Sequence, residues 1–303
     1  MTKFCAVVLI ILLGTNPAFA QCAMSFTEYA PANAPEHAAL VVALHGCGQS
    51  ASDLARDAGW NKLADRFGFY VLYPQQPNCS NTLGCFNWFD PQQITRGHGE
   101  VRAIKEKIDD MKAHHSIDPA RIYVAGFSAG AAMGVALLAS YPDVFTAGAV
   151  MSGLPYKIAT SSNEAWMMMS MSRELSPREW GDLVRQSNPG YTGSYPRVVF
   201  FHGASDFTVN PKNSKQLVKQ WTDLQGIDTA PSSEDTVAGH RHTTYKNAGG
   251  TPVVELFEIR GMAHAIAVAP GSGEQQGGQA GRFSTDVGLY APYRALSFWG
   301  LTH

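Results

Sequence analysis

Between Ala38 and Met151, short and nearly continuous apolar runs alternate with amphipathic stretches. Strands that are apolar on both faces need covering on both faces, which predicts a mostly parallel sheet with helices on each side. Leu40 to Leu44 reads as a buried strand ending at His45-Gly46. Ser52 to Phe67 reads as one helix, because Trp60, Leu63, Ala64 and Phe67 fall at i, i+3, i+4 and i+7. Phe69 to Tyr73 is the next strand, stopped by Pro74. Val101, Ile104, Ile108 and Met111 mark one face of a further helix. Ile122 to Ala125 is a strand, Ala129 to Tyr141 a helix and Ala147 to Met151 a strand.

Residues 155–196 interrupt the alternation as an internal insertion. They hold Trp166, Met167, Met168, Met169 and Met171, which read as core filler or, alternatively, as an adaptable apolar wall above a cleft. Val198 to Phe201 then reads as a strand and Asn213 to Gln225 as a helix. Residues 226–251 look loop-like, Val253 to Ile259 is a last strand, and Leu289 to Leu301 is a closing helix. With no linker-like composition in between, residues 21–303 are expected to form a single catalytic domain.

Residues 1–20 stand apart. A basic start at Lys3, an apolar run of ten from Phe4 to Leu13, and the small-residue end Ala18-Phe19-Ala20 have the layout of a signal peptide, with cleavage expected before Gln21. The run is shorter than the roughly 20 residues that a membrane span needs. The mature protein is therefore expected to be secreted, extracellular or periplasmic, with no membrane association. Of the five cysteines, Cys22, Cys47, Cys79 and Cys85 would remain, enough for two disulfides in an oxidising compartment, with three connectivities open. Structural zinc fits their spacing poorly. Charged residues make up 16% of the chain and the formal net charge is −2, without the basic surplus of a nucleic-acid binder.

The Gly126-Phe127-Ser128-Ala129-Gly130 segment sits at a strand-to-helix junction, the context in which G-x-S-x-G forms a nucleophile elbow. A serine nucleophile needs a base, and the base needs an orienting carboxylate. Both are expected later in the chain, acid before histidine, each just past a strand. Asp206 follows the strand ending at Phe201, and His264 follows the strand ending at Ile259. Asp223, Asp228, Asp235, His240 and His242 fit these positions less well and read as helix or loop residues. The oxyanion would be held by the backbone N–H groups of Ala129, directly after the serine, and of Cys47, on the loop after an early strand. His45 and Gly46 shape that loop. His45 and Trp88 are the candidate substrate contacts, although Trp88 reads equally as an aromatic anchor for a long loop. No metal and no organic cofactor is expected.

Leu44-His45-Gly46-Cys47-Gly48-Gln49-Ser50, Tyr73-Pro74-Gln75-Gln76 and Cys85-Phe86-Asn87-Trp88-Phe89 resemble the poly(3-hydroxybutyrate) depolymerase family of α/β-hydrolases. So do the elbow through Tyr141-Pro142-Asp143-Val144-Phe145, His202-Gly203 with Asp206-Phe207-Thr208-Val209-Asn210-Pro211, Gly261-Met262-Ala263-His264, and Phe298-Trp299-Gly300-Leu301. The resemblance implies an α/β-hydrolase fold and a secreted serine esterase acting on short-chain polyhydroxyalkanoates or their oligomers, with the same Ser128, Asp206 and His264 assignment. It departs from the family at Ala263, where relatives often carry glycine. No polymer-binding domain is read after the catalytic one, so soluble oligomers, amorphous polymer or another ester are the expected substrates. The expected cysteine pairing is Cys47–Cys85, tying the 85–89 loop to the oxyanion loop, with Cys22–Cys79 as the other pair. The alternatives are a feruloyl or acetylxylan esterase of plant cell walls, a long-chain lipase, and a non-catalytic binding module on a hydrolase fold. No obligate protein partner is evident.

Overall fold

The computed structural model describes residues 22–32 and 34–302. The expected signal peptide therefore lies outside the described residues. An edge strand, Ser25–Tyr29 (β1), precedes Ala38–Leu44 (β2), all seven residues of which are buried. Two short helices, Ala51–Ala58 (α1) and Trp60–Phe67 (α2), follow. They replace the single helix expected from the apolar spacing, because Gly59 adopts a left-handed conformation (φ 71°) that ends one helix and opens the next.

Phe69–Gln75 (β3) runs through Pro74 instead of stopping there. The last β2 pair is Val42–Leu72, and Pro74 is paired with Phe26 of the edge strand, so its missing N–H leaves the β2 ladder intact. Next come Pro91–Ile94 (α3), Gly99–His114 (α4) and Ile117–Phe127 (β4). Ala129–Ser140 (α5), buried at every position, leads to Ala147–Met151 (β5).

The insertion contains Ser162–Met171 (α6) and Pro177–Arg185 (α7). Arg197–Gly203 (β6) and Lys212–Leu224 (α8) follow it. The stretch expected to be a loop instead holds an antiparallel hairpin, Ser233–Val237 (β7) and His240–Lys246 (β8). Pro252–Ile259 (β9), the small pair Ile266–Val268 (β10) and Ser284–Asp286 (β11), and Ala291–Trp299 (α9) complete the described chain.

The main sheet has nine strands in the order β1-β3-β2-β4-β5-β6-β9-β8-β7. The stretch from β3 to β9 is parallel, and the antiparallel strands are confined to the edges. Alternate residues of each central strand feed two cores. Leu40, Val42 and Leu44 pack with Val101 and Ile104 of α4, Met133 of α5 and Trp221 of α8. Ala39, Val41 and Ala43 pack on the other face with Leu54, Trp60, Leu63 and Trp299. The Trp299 ring stacks on Tyr123 at 4.8 Å and on Trp60 at 6.1 Å, fixing α9 against the sheet.

The Met-rich helix α6 is not core filler. Met168 and Met169 pack partly against the core, while Trp166, Met167 and Met171 are exposed, so it forms a wall. Its neighbour α7 is the anchored element. A Ser176–Glu179 capping box starts it, and the buried Trp180 donates from Nε1 to Gln216 Oε1 of α8 (2.9 Å).

Candidate active site

Ser128 sits between β4 and α5 with φ 55° and ψ −119°, a backbone conformation that non-glycine residues seldom adopt. The turn is held because Ser128 N–H donates to the Met151 carbonyl (2.9 Å). Gly126 and Gly130 make it compact: a Cβ on Gly126 would lie 2.3 Å from the Gly130 carbonyl oxygen. The Ser128 side chain is thereby lifted to the carboxyl end of the sheet, above the N-terminus of α5.

Asp206 and His264 are brought to the same edge by two loops that zip together. Ala204 N–H donates to the Ile259 carbonyl (2.9 Å) and Ser205 N–H to that of Met262 (3.0 Å). His264 Nδ1–H donates to Asp206 Oδ2 at 2.7 Å, and Ser128 O–H donates to His264 Nε2 at 2.9 Å. With the carboxylate accepting from Nδ1, the Nε2 lone pair faces the hydroxyl, which is the tautomer a general base requires. The imidazole packs against Phe127 with ring centroids 4.9 Å apart.

Asp206 Oδ1 accepts from the N–H groups of Thr208 and Val209, each at 2.9 Å. Oδ2 also stands 3.4 Å from Nε2 of His202, a buried histidine that donates to the Val209 carbonyl at 2.8 Å. Burial on its own would raise the Asp206 carboxyl, but the hydrogen bonds from His202, His264 and Val209 outweigh it and hold the group well below the usual carboxylate range. His202 was not singled out from sequence as a partner of the acid. Its place four residues before Asp206 was the available signal.

The loop after β2 carries Cys47. Gly46 N–H donates to Gln49 Oε1 (2.9 Å) and Gly48 N–H to the Leu83 carbonyl (3.0 Å). Both disulfides have the expected pairing, Cys47–Cys85 and Cys22–Cys79, with Cα atoms 4.2 and 5.5 Å apart. His45, expected to contact substrate, does not line the cavity. It is fully buried under the loop, where Nδ1–H donates to the Gly46 carbonyl (2.8 Å) and Nε2 accepts from Gln76 N–H (3.2 Å). Burial pushes its pKa down, so it is a neutral brace between β2 and β3.

Asn87 and Gln76 converge on Glu100, a network that the sequence reading missed. The Glu100 carboxylate accepts from Gln76 Nε2 (2.7 Å), Asn87 N–H (2.9 Å) and Asn87 Nδ2 (2.7 Å), while burial raises its pKa. A glutamate in a helix's first turn is common for dipole reasons, so its sequence position carried no special signal. His240 and His242 also differ from expectation, lying on β8. His240 bonds the Val287 carbonyl (2.9 Å), and His242 pairs with Asp235 (2.9 Å) and stacks on Phe257.

Ser128 and His264 open into a cavity of about 490 Å³ walled by Cys47, Trp88, Trp166 and Met169. Trp88 is therefore in position to contact a ligand. The lining includes no aspartate, glutamate, lysine or arginine. A larger cavity of about 700 Å³, between β1, α1 and the 271–279 loop, holds none of these residues.

The sequence profile of the family described as Esterase PHB depolymerase matches residues 24–242. The chain is 47% identical to poly(3-hydroxyalkanoate) depolymerase C of Paucimonas lemoignei, over 95% of this chain and 68% of that protein. It is 33% identical to an acetylxylan esterase of Coprinopsis cinerea, over 84% of this chain and 67% of that protein. A feruloyl esterase B of Thermothelomyces thermophilus is 34% identical, over 84% of this chain and 87% of that protein. Among solved structures, an acetyl xylan esterase from Aspergillus awamori superposes with a TM-score of 0.78 at 22% identity, covering 95% of this chain and 96% of that one. That likeness establishes the α/β-hydrolase fold. A profile match across most of the chain, together with near-half identity over almost all of it, means that the chain belongs to the PHB depolymerase family of esterases and is a carboxylic-ester hydrolase.

Proposed function

We propose that this enzyme is a secreted serine esterase that hydrolyses short-chain poly(3-hydroxyalkanoate) esters or their oligomers through an acyl-enzyme on Ser128. The observation that carries this reading is the Asp206–His264–Ser128 hydrogen-bond chain, at 2.7 and 2.9 Å, opening into a cavity with no charged lining residue. His264 Nε2 takes the Ser128 hydroxyl proton as Oγ attacks the ester carbonyl. Asp206 keeps the imidazole oriented and stabilises the imidazolium. The backbone N–H groups of Cys47 and Ala129 receive the oxyanion, supported by the N-terminal end of α5. His264 then gives its proton to the leaving alcohol, and water repeats the sequence on the acyl-enzyme.

A cavity with no aspartate, glutamate, lysine or arginine in its lining, walled by Leu83, Trp88, Phe89, Trp166 and Met169, suits a neutral aliphatic acyl chain. The higher identity to a polyhydroxyalkanoate depolymerase than to the acetylxylan and feruloyl esterases quoted above favours the polyester. The second reading, a feruloyl or acetylxylan esterase, uses the same residues and rests on those relatives. Export is supported by the two disulfides and the signal-like start, and among the described residues no helix is long and apolar enough to cross a membrane. We take residues 21–303 as the mature catalytic domain. Purified residues 21–303 should release 3-hydroxybutyrate from soluble oligomers and amorphous polymer. Release of only ferulate or acetate from substituted xylan would transfer the same triad to cell-wall esters.

A further inference from the structure

We propose that His202 is a positioning residue for the triad: its buried Nε2–H holds the Asp206 carboxylate in place and shares with His264 the oxygen on which the base depends. This inference rests on the Ser128, Asp206 and His264 assignment above and adds a residue to it.

His202 is the penultimate residue of β6, and Gly203 after it lets the strand end meet the loop that carries His264. A Cβ on Gly203 would stand 2.3 Å from the Ala263 carbonyl oxygen. Strand alternation turns the His202 side chain to the same face as Phe200, where Val209 packs. The imidazole is buried, and Nε2 carries its proton, because the Val209 carbonyl oxygen 2.8 Å away can only accept. The same nitrogen stands 3.4 Å from Asp206 Oδ2, the oxygen that accepts from His264 Nδ1 at 2.7 Å. One carboxylate oxygen thus lies between two imidazoles, of which only that of His264 lines the cavity.

Val209 closes the arrangement. Its N–H donates to Asp206 Oδ1 and its carbonyl accepts from His202, so one residue brackets the carboxylate from both sides. The peptide that carries this carbonyl also donates, from Asn210 N–H, to the Met169 carbonyl of α6 (2.7 Å). Removing the imidazole therefore frees the carboxylate to rotate and leaves a buried carbonyl without its donor. The first effect reaches the chemistry through His264, whereas the second costs only stability.

Electrostatics gives the first effect a signature. A positive N–H edge beside Oδ2 draws part of the carboxylate's charge away from the imidazolium that forms on His264. Among the described residues, the titratable side chains against the carboxylate are these two histidines, and Oδ1 is taken by the N–H groups of Thr208 and Val209. Glu258, level with His202 on β9, is paired with Lys215 of α8 and Arg241 of β8, at 2.8 Å each. The cavity beside His264 has no aspartate, glutamate, lysine or arginine in its lining.

The test compares His202→Phe, His202→Asn and His202→Gln on a small soluble ester. Glutamine can place an amide N–H near the position of Nε2, whereas asparagine is too short and phenylalanine has no donor. Phe and Asn should lower kcat about 10- to 100-fold. KM should change less than about threefold, because His202 does not line the cavity. The acid limb of kcat/KM should move to higher pH by at least about half a unit, since the carboxylate's charge is then left to the imidazolium alone. Gln should restore kcat to within about threefold and return the limb to its wild-type position. If Phe fails to fold, the contrast between Gln and Asn carries the same readouts. Wild-type kcat in the Phe or Asn variant would overturn the inference, as would equal losses in Gln and Asn. A lowered kcat and thermal midpoint with the acid limb unmoved would reduce His202 to a loop staple and also overturn it. Asp206→Asn separates the two claims. If that variant keeps wild-type activity, the triad reading fails; if it is inactive while the His202 variants are unaffected, only this inference falls.

Discussion

Gly130 lies so close to Leu44 that a Cβ on the glycine would stand 2.3 Å from the Leu44 carbonyl oxygen, and 2.4 Å from that of His45. The helix that begins at the nucleophile is thus in direct backbone contact with the strand end that launches the Cys47 loop. Two pieces of the proposed site, separated by more than 80 residues in sequence, keep their spacing because one residue has no side chain.

Gly130→Ala should therefore damage stability and activity together. Overpacking of this kind costs roughly 1–3 kcal/mol, and relief of the clash would push the Cys47 amide away from Ser128. Chemical denaturation and soluble-ester kinetics on one preparation check this. A fully active Gly130→Ala enzyme would mean that the spacing is not critical.

Asp206→Asn should lower kcat by about 10⁴-fold, because the amide no longer enforces the imidazole tautomer. The same variant tests a pH effect. The folded-state pKa of Asp206 is depressed, so its stabilisation is fully present above the unfolded value of about 3.9 and is lost as pH falls through the folded value. Between about pH 6 and about pH 3 the wild type should lose more thermal stability than Asp206→Asn. Equal losses would show that the carboxylate contributes no acid-side stability.

Replacing Cys47 and Cys85 together by serine should cost stability and turnover. The bridge closes a separation of 38 residues, for which the loop-entropy estimate is about 4 kcal/mol. It also fixes the loop whose amide is proposed to receive the oxyanion. Denaturation with and without the bridge, and kcat on a soluble ester, give the two readouts. Lost stability with unchanged kcat would separate the disulfide from the oxyanion site.

Glu100→Ala would strip the acceptor from Gln76 Nε2, Asn87 N–H and Asn87 Nδ2. Each orphaned buried donor costs about 1–3 kcal/mol, so several kcal/mol of stability should go. Because Trp88 follows Asn87 into the cavity, KM should rise more than kcat falls. Steady-state kinetics on a soluble ester decide it, and an unchanged KM would detach this network from substrate contact.

Much of the site was legible because its chemistry is written in local patterns. The glycine-flanked serine at a strand end and the later acid and histidine, each just past an apolar run, locate Ser128, Asp206 and His264 without tertiary information. The misread segments depended on contacts that single-sequence periodicity cannot register. The apolar spacing behind the 52–67 helix, Trp60 to Phe67, lies wholly after Gly59, and the left-handed glycine separates that helix from Ala51–Ala58. The β7–β8 hairpin carries charged residues whose pairing is across strands, as with Arg241 between Glu234 and Glu258, and it turns at Ala238-Gly239, both with positive φ. His45 looked like a ligand-facing polar residue, although its two ring nitrogens are occupied by backbone groups. The Met-rich segment read as core filler or as a wall above a cleft, which hydrophobicity alone does not separate, and its helix stands at the margin of the cavity with much of its apolar surface exposed.

The most direct test is to trap the covalent intermediate. The enzyme would be mixed with an activated 3-hydroxybutyrate ester, acid-quenched within the first turnovers and mapped by peptide mass spectrometry. The expected result is one 3-hydroxybutyryl increment on the peptide containing Ser128, absent from Ser128→Ala, with ester cleavage in that variant reduced by at least about 10⁴-fold. An increment on another residue, or cleavage at near wild-type rate by Ser128→Ala, would contradict the account.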